Sequence, residues 1–295
     1  MLTGLIPSEV GAWTGLRVLY LYRNFLSGPL PLEISELGFI EDLSLYGNIL
    51  TGPLLGNVSS MQNLYSLMLY HNMLSGSIPQ SMGTLSALGY LHLFENMLSG
   101  SVPQELGKLN SLLDFVANDN FLTGSIPSSL GRMRLVENLM LHKNLFTGTI
   151  PQEIGSLIQV KYLYLFDNDL TGHIPTNIVS LVNIVHLMLY GNRLKGPVPM
   201  EVGSLTEMEE LILFDNELSS SLPTTLSQCI AMRVMRLQGN SFSGSLEGVF
   251  SSNMILENVD LSDNMFSGSI SPALFQLPDV TTIALSLNCF EGSLP

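Results

Sequence analysis

The stretch "NMLSGSIPQSMGTLSALGYLHLFEN", residues 72–96, opens and closes on an asparagine. Its last six residues set Leu91 and Leu93 against His92 and Phe94 in strict alternation, the pattern of a β-strand with one buried side. Before them come a glycine (Gly76), a proline (Pro79) and further leucines at positions that suit a turn and a return path. Reading outward, the closing asparagine opens the same pattern again. Asn24, Asn48, Asn72, Asn96, Asn120, Asn144, Asn168, Asn192, Asn216, Asn240, Asn264 and Asn288 stand 24 residues apart without a break. A fixed period of this length marks a solenoid, in which each repeat is one unit that stacks on its neighbours. It overrides the two domains that 295 residues would otherwise suggest.

The repeat reads LxxLxLxxNxLSGxIPxxLGxLxx, with Phe, Ile, Val or Met sometimes in place of Leu. In this form the chain resembles the leucine-rich repeat family, in the plant-type variety that carries SGxIP or TGxIP after the asparagine. "NMLSGSIPQSMGTLSAL" from Asn72 and "NLFTGTIPQEIGSLIQV" from Asn144 carry the resemblance, which covers the whole chain. It implies an α/β solenoid, a right-handed superhelix of about twelve repeats with a parallel β-sheet on its concave face, forming a single domain over residues 1–295. "MLTGLIP" at residue 1 shares the phase of "MLSGSIP" at Met73, and the chain also stops inside a repeat at Pro295. The expectation is a segment lacking both polar caps, with signal, anchor and any kinase lying outside it.

Each column of the repeat has a physical reason. Leu19, Leu21 and their equivalents point inward, and Leu26 or Phe146, two places after an asparagine, closes the same core. The asparagine has an acceptor and two donors, so at a tight bend it can satisfy backbone groups left unpaired. Glycine four places later, as at Gly28 or Gly52, suits a backbone conformation other residues resist. Proline three places after that, from Pro31 to Pro295, suits the entry into a short helical turn. In the leucine column of Leu37 stand Trp13, Cys229 and Asn253, the first two expected as core fillers. Phe115 and Ala117 set a large residue beside a small one, a volume compensation. Ser220 replaces the glycine, and Leu55 and Glu247 the proline, with no reason visible in the sequence.

Composition narrows the partner. Eleven basic and 25 acidic residues give a net charge of −14 with no basic cluster, which argues against nucleic acid and an anionic membrane surface. No apolar run is long enough for a membrane helix, so no direct insertion is expected of this segment. Cys229 and Cys289 lie two and a half repeats apart, too far for a disulfide at ~4.8 Å per strand. Asn57-Val58-Ser59 is a single glycosylation sequon. The five histidines are scattered over different repeats, and no nucleophile–base pair, metal-ligand spacing or phosphate loop is visible, so neither an enzyme nor a cofactor is expected.

The outward positions of the strands point to recognition. One column reads Tyr22, Tyr46, Tyr70, Phe94, Asn118, His142, Phe166, Tyr190, Phe214 before turning polar. Its neighbour contributes Tyr20, Met68, His92, Met140, Tyr164, Met188 and Ile212. Nine strands at ~4.8 Å make a stripe roughly 40 Å long, a candidate ligand-binding surface. Cross-strand stacking is the structural alternative, but it gives no reason for the stripe to stop after Phe214. Beside it runs an acidic column of Glu95, Asp119, Asp167, Asp215 and Asp263, read either as a solvated edge or as a rim that selects a basic or hydroxyl-rich ligand. The resemblance implies a sensing ectodomain of a receptor-like protein or kinase, on the outer face of the plasma membrane or secreted, that binds a protein, peptide or glycan. A soluble scaffold or inhibitor, similar to polygalacturonase-inhibiting proteins, is the alternative, with the cytoplasm left open. Ser and Thr rows at Ser27, Thr51, Ser75 and Ser77 add a third reading, ice or polysaccharide binding.

Overall fold

The computed structural model describes residues 1–252 and 254–294; Asn253 and Pro295, placed above in the leucine and proline columns, lie outside the described residues. Contacts group the chain into two units, residues 1–147 and 148–295.

In the first unit the predicted strands are short: Val18–Tyr20, Asp42–Ser44, Ser66–Met68, Tyr90–His92, Asp114–Val116 and Asn138–Met140. They pair in parallel with equivalent residues abreast, Leu19 beside Leu43 and Leu67 beside Leu91. A second parallel sheet was not foreseen. It is built from Thr3–Leu5, Phe25–Pro29, Ile49–Pro53, Met73–Gly76, Met97–Ser101 and Phe121–Gly124, the segments that follow the asparagines. Here the register slips by two residues per repeat, so that Ser27 lies beside Ile49. One alternating triplet such as Phe25-Leu26-Ser27, with only Leu26 buried, is too short a pattern to declare a strand.

The second unit repeats the plan. Tyr162–Tyr164, His186–Met188, Glu210–Ile212, Val234–Arg236, Asn258–Asp260 and Thr282–Ala284 form the first sheet. Asp169–His173, Arg193–Gly196, Glu217–Ser220, Ser241–Gly244, Met265–Gly268 and Cys289–Phe290 form the second. In both units leucines between the sheets are fully buried, among them Leu45, Leu91, Leu163 and Leu213, together with Phe115 and Ala117 in the first and Phe242 and Phe266 in the second.

The helical part of this solenoid consists of 3₁₀ turns of five residues, with no α-helix among the described residues. Nine of these turns begin directly after a proline held extended near φ −65°, and the tenth begins on Pro272. Where Leu55 and Glu247 replace the proline, no such turn forms. The fixed φ of proline is therefore what starts the turn.

The asparagines act as the sequence predicts. Asn96 Nδ2 donates to the carbonyls of Leu69 and Leu93 at 3.1 and 3.0 Å, and its Oδ1 accepts the N–H of Leu74 at 3.0 Å. Asn192 does the same for Leu165, Leu189 and Leu170, each at 3.0 Å. The glycines of this column from Gly28 to Gly268 have φ between +73° and +79°, and Ser220 is held at +74° in the same place, where a Cβ is strained. Cys229 fills the core, as expected, whereas Trp13, expected as a core filler, is 57% exposed.

Candidate ligand-binding face

In the first unit the aromatic column forms one stack of rings. Tyr22, Tyr46, Tyr70 and Phe94 lie face to face at centroid distances of 4.7, 4.3 and 4.3 Å and within 10° of parallel. Parallel strands with equivalent residues abreast impose this spacing. Each ring therefore covers its neighbour's face and offers a ligand its edge and, in the tyrosines, its hydroxyl. The stack ends at Asn118, which is buried. Burial and the adjacent Tyr46 push the Tyr70 hydroxyl up to about 12, so it is a hydrogen-bond donor at any physiological pH.

Polar groups that were never singled out stand on the same face. They come from the column of Val18, one residue before the buried leucine: Asp42, Tyr90, Asp114 and Asn138. Tyr20 donates its hydroxyl to Asp42 at 2.6 Å, a bond that raises its pKa. His92 Nε2 lies 3.4 Å from Asp114 Oδ2, and Asn138 Nδ2 donates to Asp114 Oδ1 at 2.5 Å. Around this cluster stand the rings of Tyr70, Tyr90 and Phe94, each 6.3 Å from the imidazole. His92 Nε2 and Asn138 Oδ1 are both buried without a hydrogen-bond partner in the chain. Met68 and Met140 are half-buried nearby on the same column as His92, while His142 lies 4.0 Å from Asp119. Burial pulls the His142 imidazole down to about 4, against the opposing pull of the Asp119 carboxylate.

The second unit carries its own stack, Phe166–Tyr190–Phe214, at 4.3 and 4.2 Å. The Arg236 guanidinium sits 5.0 Å from the Phe214 ring centre, a cation–π contact that closes the stack. Tyr164 shares a 2.8 Å hydrogen bond with His186 Nδ1, and His186 lies 4.0 Å from Glu210. Burial pushes the Tyr164 hydroxyl up to about 12. Phe166 and Ile212 are only 8% exposed, so a ligand meets Tyr164, Met188 and Tyr190 before it meets them.

The acidic column has a backbone cause. Arg23, His71, Glu95, Asp119, Lys143, Asp167, Asp215 and Asp263 all have φ near +50°, and Gly47, Gly191 and Gly239 fill the same column at +61° to +66°. Asp and Gly adopt this left-handed conformation more readily than most residues, which explains why they alternate there. Its charges are also partly occupied: Glu95 pairs with His71 at 2.5 Å and Asp119 with Lys143 at 3.5 Å. Among the described residues no cluster of side chains has the arrangement to hold a metal ion, and no helix is long and apolar enough to cross a membrane.

The family pattern described as Leucine Rich Repeat matches residues 15–37, 63–85, 159–181 and 256–277. No curated protein matches the chain by sequence. Among solved structures, the plant peptide hormone receptor RGFR1 in complex with RGF2 aligns with 99% of the chain at a TM-score of 0.96 and 31% identity. A TDR receptor aligns with 98% at 0.94 and 30%. The Arabidopsis receptor kinase HAESA ectodomain, in complex with an extended IDA peptide hormone ligand, aligns with 99% at 0.87 and 29%. The chain spans 47%, 50% and 53% of those three chains, about half of each. Repeat, strand pairing, asparagine ladder and these likenesses agree: the chain belongs to the leucine-rich repeat proteins.

Proposed function

We propose that the outward face of the first sheet binds an extended peptide or protein segment, without catalysis, as the sensing part of a receptor-like protein exposed outside the cell. The observation that carries this reading is the His92–Asp114–Asn138 cluster, where Asn138 Oδ1 is buried without a hydrogen-bond partner in the chain and His92 Nε2 faces only the Asp114 carboxylate, 3.4 Å away. Such groups cost roughly 1–3 kcal/mol each unless something pairs with them. A peptide backbone, which carries donors and acceptors alternately, supplies the missing partners. The stacked tyrosines provide rigid edges for its side chains, with few rotamers to lose on binding. Tyr20, Tyr22, Tyr46, Met68, Tyr70, His92, Phe94, Met140 and His142 form the contact set of the first unit. Tyr164, Phe166, Met188, Tyr190, Ile212 and Phe214 form that of the second. The likeness to receptors solved with peptide hormones supports the same ligand class.

Selection from a random peptide library on the purified chain tests the proposal. Selected peptides should lose about tenfold or more in affinity against His92→Ala and Asn138→Ala. They should bind Phe39→Ser, an exposed position away from this face, as they bind the parent chain. Peptides that bind all three variants equally would refute it.

A further inference from the structure

The second sheet carries a surface that peptide recognition does not use. In the first unit its strands FLSGP, ILTGP, MLSG, MLSGS and FLTG contain no charged residue, in a chain of net charge −14. In the second unit the corresponding strands DLTGH, RLKG and ELSS carry charged residues, while SFSG, MFSG and CF do not. Phe25, Ile49, Met73, Met97 and Phe121 open the uncharged strands, and each is 47–52% exposed. Single exposed apolar residues are ordinary, but five equivalents in one row are a patch. Register sets a small hydroxyl beside each large side chain: Ser27 by Ile49, Thr51 by Met73, Ser75 by Met97, Ser99 by Phe121.

We propose that this face pairs with the same face of a second copy of the chain. Two features select that occupant. Two chains of net charge −14 repel each other, so an uncharged face is where they can approach most closely. The face is also self-complementary: a two-fold axis along the row lays the apolar row of one copy over the hydroxyl row of the other, large against small, as an isologous contact requires. Its size sets the strength. Five strands at ~4.8 Å and five residues at ~3.3 Å give a footprint of roughly 400 Å², about half the ~800 Å² per partner of a stable complex. The pairing is therefore weak and concentration-dependent, with dissociation constants of about 10 μM to 1 mM.

Sedimentation velocity over about 5–500 μM tests this. The parent chain should move from monomer toward dimer across that range. The double variant Met73→Glu/Met97→Glu should stay monomeric, weakened about a hundredfold or more by facing like charges. Its melting temperature should not change, since both side chains point to solvent. A parent chain that is monomeric throughout, or an association that survives both glutamates, overturns the proposal; in the second case the contact lies elsewhere on the surface.

Discussion

Two ladders run through this protein with the same 24-residue period, and they do different work. The asparagine ladder is buried or nearly so, and each amide makes hydrogen bonds to its own coil and to the coil before it. The aromatic ladder lies outside, packed ring on ring, with tyrosine edges and hydroxyls left toward solvent. Identical periodicity in sequence therefore separates into an internal brace and an external surface. What distinguishes them is satisfaction. The buried amides of the brace are paired, whereas beside the aromatic ladder Asn138 Oδ1 has no hydrogen-bond partner and His92 Nε2 meets only the Asp114 carboxylate at 3.4 Å.

Removing one rung of the brace should have the largest effect. Asn192→Ala strips partners from the Leu165 and Leu189 carbonyls and the Leu170 N–H, and should cost about 3 kcal/mol or more in denaturant unfolding. Phe166→Ala comes next and blurs the division, because this member of the outer ladder is almost buried. A loss of about 2–3 kcal/mol would place it with the core, against under about 1 kcal/mol for the exposed Tyr22→Ala.

A smaller effect depends on pH. A base whose pKa falls on folding favours the folded state only while neutral, so His142 should cost stability as pH drops from 6.5 toward about 4. His142→Gln should flatten that part of the stability profile, and an unchanged slope would contradict it. Smallest is a gain: Ser220→Gly relieves a side chain at φ +74° and should add roughly 0.5–1 kcal/mol, read as a higher melting temperature.

Much of this architecture was legible in the sequence because it repeats. Twelve asparagines and the leucines around them defined the coil, and both ladders could be read as columns. The second sheet escaped because its alternation spans only three residues per repeat. The column of Arg23 left a solvated edge and an electrostatic rim both open, and its left-handed backbone, which Asp and Gly adopt readily, shows in no side-chain pattern. Asp114 and Asn138 were overlooked because their column, Val18, Asp42, Ser66, Tyr90, Asp114, Asn138, is chemically mixed and shows no period of its own. Reading it beside the column of His92 would have found the cluster.

The most direct test of the division between brace and surface is the affinity of a library-selected peptide for His92→Ala, measured by calorimetry alongside the melting temperature. A recognition role for this face requires an affinity lower by about tenfold or more with the melt nearly unchanged. An unaltered affinity would contradict it, and would return the aromatic face to a purely structural role.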